Sequence, residues 1–335
     1  MLVTVLAVAL FAWFLRDASL AGVWAEVRRA RPDLLALGTL VMAVGFLLRV
    51  IRWQCLLRPV GATRLRTAFR ALVMGYAASS LLPARAGDVL RPYVLARQEG
   101  LSATSTFATI VMERVLDLVV VLAMLATFVW SVAGNLTGSP AVMRSVQASG
   151  VTAAAAAGAL VVVLVLVAHH PERISAFVFR LQRVLSPRLA GRVAEAATAF
   201  SAGLAVVRAP GPLAWAVVWS VAVWVVNAVQ IWLITLAFGI QMPFAGTFLQ
   251  QALLVVGVAV PTPGAVGSFH EAYRIGATAF FGASEQAAVG AAIVLHAVAF
   301  LPVTVLGVIF MVRDGLTMGR VRRLAGDDGK VGETV

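Results

Sequence analysis

The chain has 335 residues, of which 61% are hydrophobic and 13% charged, and its mean hydropathy is +0.94. Those values exclude an ordinary soluble domain and point to an all-α, polytopic membrane protein, because a helix of about 20 apolar residues spans the hydrocarbon core. The net charge of +12 rests on 27 basic side chains, all arginine except Lys330, with no basic stretch interleaved with aromatics, so nucleic acid is not an expected partner; the lone Cys55 excludes an internal disulfide and argues against a cysteine-based metal centre.

In chain order, 2–15 is apolar, lacks a basic leader and precedes no Ala-x-Ala site, and so reads as a short retained helix. Residues 16–33, with Arg16, Arg28, Arg29 and Arg31, read as a loop. Full-span helices follow at about 34–56, 104–130, 151–168, 212–237 and 285–312, six with the first. Two shorter apolar segments, 66–81 and 244–260, each run into a proline–glycine break and then a short helical segment, 88–99 and 268–281. Outgoing arms of ~17 residues are only ~25 Å long at 1.5 Å per residue. Each pair therefore reads as a re-entrant hairpin, with two tilted crossings as the alternative.

Arginine placement orients the chain. Residues 169–210 carry Arg173, Arg180, Arg183, Arg188, Arg192 and Arg208, and the tail carries Arg313, Arg320, Arg322, Arg323 and Lys330, against Arg144 alone in 131–149. The positive-inside rule then places both termini in the cytoplasm, consistent with an inner (cytoplasmic) membrane location. With the hairpins non-crossing, about 34–130 and about 212–312 become the same unit inverted, within one transmembrane domain, 1–315, followed by a cytoplasmic tail, 316–335. Between the units, 169–210 holds two apolar stripes, Ile174 to Leu185 and Leu189 to Val207. Backed by arginines, they suit helices lying on the anionic inner leaflet or packed under the bundle.

The two breaks share a pattern. Pro83-Ala-Arg85-Ala-Gly87-Asp88-Val-Leu-Arg91-Pro-Tyr93 reads P-x-x-x-G-D-x-x-R-x-Y, and Pro263-Gly264-Ala-Val-Gly267-Ser268-Phe-His270-Glu271-Ala-Tyr273 reads P-x-x-x-G-S-x-x-E-x-Y. Proline and glycine (Pro83, Gly87, Pro261, Pro263, Gly264 and Gly267) stop one helix and turn the chain. Asp88 and Ser268 are placed to cap the next helix, and Ser268-x-x-Glu271 matches a capping box. Helix starts at membrane depth suit an anionic group such as phosphate, with Arg85 and Arg91 beside the first and His270 and Arg274 beside the second. Paired broken segments of this kind mark the substrate site in transporters built from inverted repeats.

Segment 104–130 contains Glu113, Arg114 and Asp117. Charges at a helix centre cost ~2.5–3.5 kcal/mol each on insertion scales, so these face protein or a cavity. They are either an internal salt bridge or a charged relay facing the hairpin. Arg49 and Arg52, beside Trp53, read as interfacial anchors, and His296 as a hydrogen-bonded packing residue. Asn227, Gln230, Gln250 and Gln251 either pair between helices or line a path. The sequence contains no catalytic triad, zinc-binding H-E-x-x-H, nucleotide loop or dinucleotide fingerprint, so no cofactor or metal is expected.

On Leu82-Pro83-x-Arg85-x-Gly87-Asp88-x-x-Arg91, Glu113-Arg114-x-x-Asp117 and Pro261-x-Pro263-Gly264-x-x-Gly267-x-x-x-Glu271, the chain resembles the lysylphosphatidylglycerol synthase transmembrane-region, or flippase-like, family over roughly 34–312. Asp88 stands where that family usually has Glu. The resemblance implies a membrane-lipid substrate and lipid translocation, of an anionic phospholipid or a polyprenyl-phosphate-linked lipid. No aminoacyltransferase domain follows the last span in this sequence, so an enzyme is not expected. On this reading Arg85, Asp88, Arg91, Glu113, Arg114, Asp117, Glu271 and Arg274 contact substrate. The rival readings are an intramembrane lipid-modifying enzyme with Asp88 or Glu113 as base, and a non-catalytic partner in an envelope glycan pathway. Homo-oligomerisation stays open.

Overall fold

A computed structural model describes residues 2–16, 18–82, 85–131, 140–169, 187–260 and 262–315. Pro83, Pro261, the stripe 174–185 and the tail 316–335 lie outside the described residues. Every regular element among the described residues is helical. The α-helices are α1 (Leu2–Leu15), α2 (Leu20–Arg29), α3 (Pro32–Leu57), α4 (Leu65–Leu81), α5 (Gly87–Glu99), α6 (Ala103–Ser131), α7 (Pro140–His169), α8 (Pro187–Gly203), α9 (Pro210–Ala237), α10 (Gly246–Ala259), α11 (Ser268–Phe281) and α12 (Glu285–Arg313). Four are long and apolar enough to cross a membrane: α3, residues Gly150–His169 of α7, α9 and α12. α6 is 29 residues long and carries Glu113, Arg114 and Asp117 near its middle.

One expected loop is a helix. Ser19 Oγ accepts from the Gly22 amide at 3.1 Å and starts α2, which buries Val23. The axis turns by 79° between α1 and α2, so the N-terminal segment is a bent pair. A good N-cap and an apolar stripe outweigh the arginines that made 16–33 look like a loop.

Outward-facing side chains are as apolar as the interior. Leu40 and Leu47 on α3, Val162 and Leu166 on α7, and Leu301 and Val305 on α12 are all exposed. An apolar surface of that extent on long helices suits hydrocarbon as the solvent.

Two units share one plan. α3, α4, α5 and α6 have 26, 17, 13 and 29 residues; α9, α10, α11 and α12 have 28, 14, 14 and 29. The leading helices pack antiparallel: Gly38 meets Ile234, Gly45 meets Val226, and Arg52 reaches Ser220. Exchange between units is reciprocal, since α4 packs on α12 and α10 packs on α6. Two cores form, one around Leu72, Met74 and Leu95 that also takes in Val303 and Met311 of α12, the other around Tyr273, Ala288 and Leu295.

Within each unit the two short helices form a hairpin. Gln250 Nε2 donates to the Tyr273 carbonyl, and Gly257 lies against Ser268. In the first hairpin Gly75 and Gly87 touch backbone to backbone, and a Cβ on Gly87 would sit 1.7 Å from the Gly75 carbonyl oxygen. The tips meet each other: Gly264 lies against the Ser80 carbonyl, and α1 covers the second tip through Leu10 and Phe11 at Gly267.

α8 packs under the bundle, with Ser105 Oγ donating to the Ala199 carbonyl and Ser201 Oγ to the Val167 carbonyl. Of the two accounts for the stripe Leu189 to Val207, its described part from Phe200 to Val207 packs on the bundle.

Gly87→Ala should separate α4 from α5 and cost roughly 3 kcal/mol. Gly158→Ala, where nothing lies within 4 Å of the new methyl, should be neutral. Thermal unfolding of both variants in detergent checks this.

Candidate functional site

The charges that α6 carries are neutralised by arginines from two other helices. Glu113 and Asp117 stand one turn apart on one face. Glu113 accepts from Arg91 of α5 at 2.9 and 3.1 Å, a bidentate pair, and lies 3.1 Å from Arg52 Nη2 of α3. Asp117 Oδ1 accepts from Arg52 Nη1 and, at 2.8 Å, from Trp224 Nε1 of α9. Arg114 completes the set, reaching Asp88 of α5 at 2.7 Å and Asp117 at 3.5 Å. The Arg91 guanidinium stacks 3.7 Å over Trp53, whose indole N–H donates to Thr109. Arg52, Glu113 and Arg91 are 0%, 1% and 3% exposed.

Three arginines and three carboxylates leave this network neutral. Neutrality decides its role, because a buried charge is tolerated only when paired and fully hydrogen-bonded. Of the two readings of Glu113, Arg114 and Asp117, the geometry is that of an internal salt-bridge network, and it also borders a cavity. Arg52 is not an interfacial anchor: it is fully buried and, with Trp53, joins α3 to α6. Its sequence context, an arginine beside Trp53 near a helix end, resembles an anchor; its partners lie about sixty residues on.

Beside the network lies a cavity of ≈ 440 Å³ between α3, α6, α9, α10 and α12, bordered also by the tip of the first hairpin. A smaller one of ≈ 160 Å³ runs between the hairpin tips and shares Tyr76, Arg85, Arg114, Val258 and Phe300 with it. Most of the large cavity's wall is aliphatic or aromatic. Its polar lining includes Arg49, Arg85, Arg114, Asp117, Asn227 and Gln230.

Two of these arginines have no carboxylate partner among the described residues. Arg49 Nη2 donates to Asn227 Oδ1 at 3.1 Å, and Arg85 Nη2 donates to the Val258 carbonyl at 3.2 Å. Both acceptors are neutral, so the cavity carries an excess of two positive charges. Arg85 sits in the left-handed region at φ 53, and Ala265, 180 positions later, does the same at φ 55. A left-handed residue thus recurs at the equivalent position of both hairpins, although Gly267 takes positive φ and its counterpart Gly87 does not. A non-glycine residue held there costs about 1–2 kcal/mol, which surrounding packing must offset.

The structure does not bring all the expected site residues together. Arg85, Asp88, Arg91, Arg114 and Asp117 line one or other of the two cavities, and Glu113 is buried behind them on Arg91 and Arg52. Glu271 and Arg274 do not: Arg274 is held by Glu271 at 2.6 and 2.8 Å and by Glu285 at 2.8 and 3.1 Å, and neither residue lines either cavity. Arg91 is engaged by Glu113 and so is not poised as a free phosphate ligand.

The capping expectations also change. Asp88 is spent on Arg114, and the Gly87 amide is satisfied by Ser79 Oγ at 3.2 Å. In the second hairpin, Gly267 at φ 86 is the cap residue, and its amide donates to His270 Nδ1 at 3.3 Å, so the Ser268–Glu271 capping box does not form. A glycine free to take positive φ displaces serine from the cap. His296 bears out its packing role, with Nε2 2.7 Å from the Gly264 carbonyl and its ring stacked on Phe300.

Arg49, Asn227, Gln230 and Gln251 emerge as cavity residues; the signal in the sequence was polar side chains within otherwise apolar helices.

Glu113→Ala should lose about 3–5 kcal/mol, because Arg91 and Arg52 would keep buried charge without a partner. Combining it with Arg91→Met should recover part of that loss, measurable as a double-mutant cycle on thermal or denaturant unfolding.

The chain matches the family described as the lysylphosphatidylglycerol synthase TM region over residues 1–307. It is also similar to a protein named glycosyltransferase AglD from Haloferax volcanii, 30% identical over 154 residues. That match covers 45% of this chain and 24% of the relative.

Proposed function

This chain belongs to the lysylphosphatidylglycerol synthase transmembrane-region family, and from that premise we propose that it moves a lipid with an anionic, phosphate-bearing headgroup between membrane leaflets. The observation that carries the reading is the pair Arg49 and Arg85, which line one cavity and have only neutral acceptors. A guanidinium binds phosphate in a bidentate manner, which a compact ammonium does not. The headgroup would exchange Asn227 and the Val258 carbonyl for its own oxygens. Acyl chains would lie along the apolar wall and the lipid outside.

On this reading the hairpins α4–α5 and α10–α11 are re-entrant, entering from opposite faces and meeting at Ser80 and Gly264 near the midplane. Both termini lie in the cytoplasm. Rocking of one unit against the other, along the antiparallel α3–α9 seam, would alternate access to the cavity. The neutral network would hold α3, α5 and α6 together as one body during that motion.

The name of the Haloferax volcanii relative gives a second reading, glycosyl transfer. Asp88, Glu113 and Asp117 are each already bonded to arginines, which leaves none of them free to act as a base and favours transport.

In liposomes carrying a fluorescent phosphatidylglycerol, the wild-type protein should make the label on both leaflets accessible to dithionite. Arg49→Ala with Arg85→Ala should slow this at least about tenfold, the loss of one or two charged hydrogen bonds. Wild-type protein that moves no lipid, or a double variant that moves it at the wild-type rate, contradicts the proposal.

A further inference from the structure

The charge that faces the two cavities can be counted. Arg49, Arg85, Arg91, Arg114, Asp88 and Asp117 line one or other of them. Arg91 is held by Glu113, Asp117 by Arg52 and Arg114 by Asp88, so these charges cancel. Arg49 and Arg85 donate only to neutral oxygens and remain as two uncompensated charges. A phosphate diester brings one negative charge and leaves one guanidinium unmatched. A phosphate monoester carries two above its second ionisation, at about pH 6, and matches both. Complementary charge of this kind decides between related ligands.

Tyr76 of α4 offers a third donor. Its ring stands edge-on to Phe46, with centroids 5.2 Å apart, and lines both cavities, as Arg85 does. Its hydroxyl has no hydrogen-bond partner among the described residues and is accessible, since the side chain is only half-buried. A phosphate diester has two terminal oxygens and a monoester has three. A phenol can donate to the third.

We propose that the cavity selects a lipid phosphate monoester, a dianion at neutral pH, over phosphodiester lipids. Arg49 and Arg85 match its two charges, and the Tyr76 hydroxyl donates to its third terminal oxygen. Phe46, Leu118 and Val255 belong to the apolar remainder of the wall, which suits the lipid's chains. The inference rests on the anionic-lipid reading above and adds the charge and esterification of the phosphate.

The test measures affinities of purified protein in detergent for phosphatidic acid and phosphatidylmethanol of equal chain length, which differ by one methyl group and one charge. At about pH 8.5 wild type should bind phosphatidic acid about tenfold more tightly, the effect of one further charge pair partly screened by water. At about pH 5 the monoester has taken up its second proton, so the difference should vanish. Among the described residues no histidine lines either cavity, and the arginines, arginine-bound carboxylates and phenol there do not ordinarily titrate in that interval. Arg49→Ala should bring the two lipids toward parity. Tyr76→Phe keeps the ring against Phe46 and should weaken phosphatidic acid roughly threefold. Its unchanged affinity for phosphatidylmethanol would also show that the variant is folded.

Equal affinity for the two lipids in alkaline buffer, or a preference that persists in acid, overturns the inference. A preference that Tyr76→Phe leaves intact overturns the assignment of Tyr76. If Arg49→Ala with Arg85→Ala leaves both affinities unchanged, the anionic-lipid reading itself fails. If that variant loses both lipids while wild type does not distinguish them, the reading stands and the selection for a monoester falls. Glycerol 3-phosphate, a monoester without acyl chains, should compete only at far higher concentration. Competition at equal concentration would keep the phosphate chemistry and overturn the lipid as its source.

Discussion

Everything around the cavity depends on one electrostatic constraint: Arg52, Arg91, Glu113 and Asp117 are buried together, with Arg114 and Asp88 half-buried at their edge, and the six charges must cancel. Arg52, Arg91 and Arg114 face Glu113, Asp117 and Asp88 with no remainder. Removing any of the four buried members would strand a charge in a medium that solvates it poorly, so α3, α5 and α6 are bound to one arrangement. The functional consequence is separation of roles. Arginines that hold the bundle are neutralised, and arginines that face the cavity, Arg49 and Arg85, are not. A site needs spare charge, and a scaffold must have none.

On the proposed reading, that spare charge lies where a headgroup would pass. Two units of matching helix lengths meet through their leading helices, exchange their trailing ones and touch at their hairpin tips. Arg85 belongs to one tip and donates to the α10 carbonyl of Val258, part of the other hairpin. Its left-handed backbone is matched by that of Ala265 in the other tip. Any motion that parts the units must break or replace the Arg85 contact, and an anionic ligand is the natural replacement.

Helix positions and the repeat were legible in the sequence because both follow from short-range pattern. Apolar runs mark α3, α6, α7, α9 and α12, and the P-x-x-x-G breaks mark both hairpins. The α2 helix was equally legible through Ser19 and its apolar stripe, but a dense set of arginines obscured it. What the sequence could not display was partnership at a distance. Arg52 looks like an anchor until Glu113 and Asp117 are seen against it. Arg91 looks free until Glu113 takes both of its nitrogens. Glu271 and Arg274 match the first break by position, yet α12 supplies Glu285 and closes them into their own cluster. Ser268 lost its cap role to a glycine whose backbone freedom is invisible to a motif.

The central claim is that the cavity beside the neutral network holds a phosphate on Arg49 and Arg85. The most direct measurement is an electron cryo-microscopy structure in nanodiscs containing phosphatidylglycerol. The account predicts headgroup density within hydrogen-bonding distance of both guanidinium groups, with the Arg52–Glu113–Asp117 contacts unchanged. An empty cavity with lipid confined to the outer helix faces, or density that displaces Arg91 from Glu113, would contradict it.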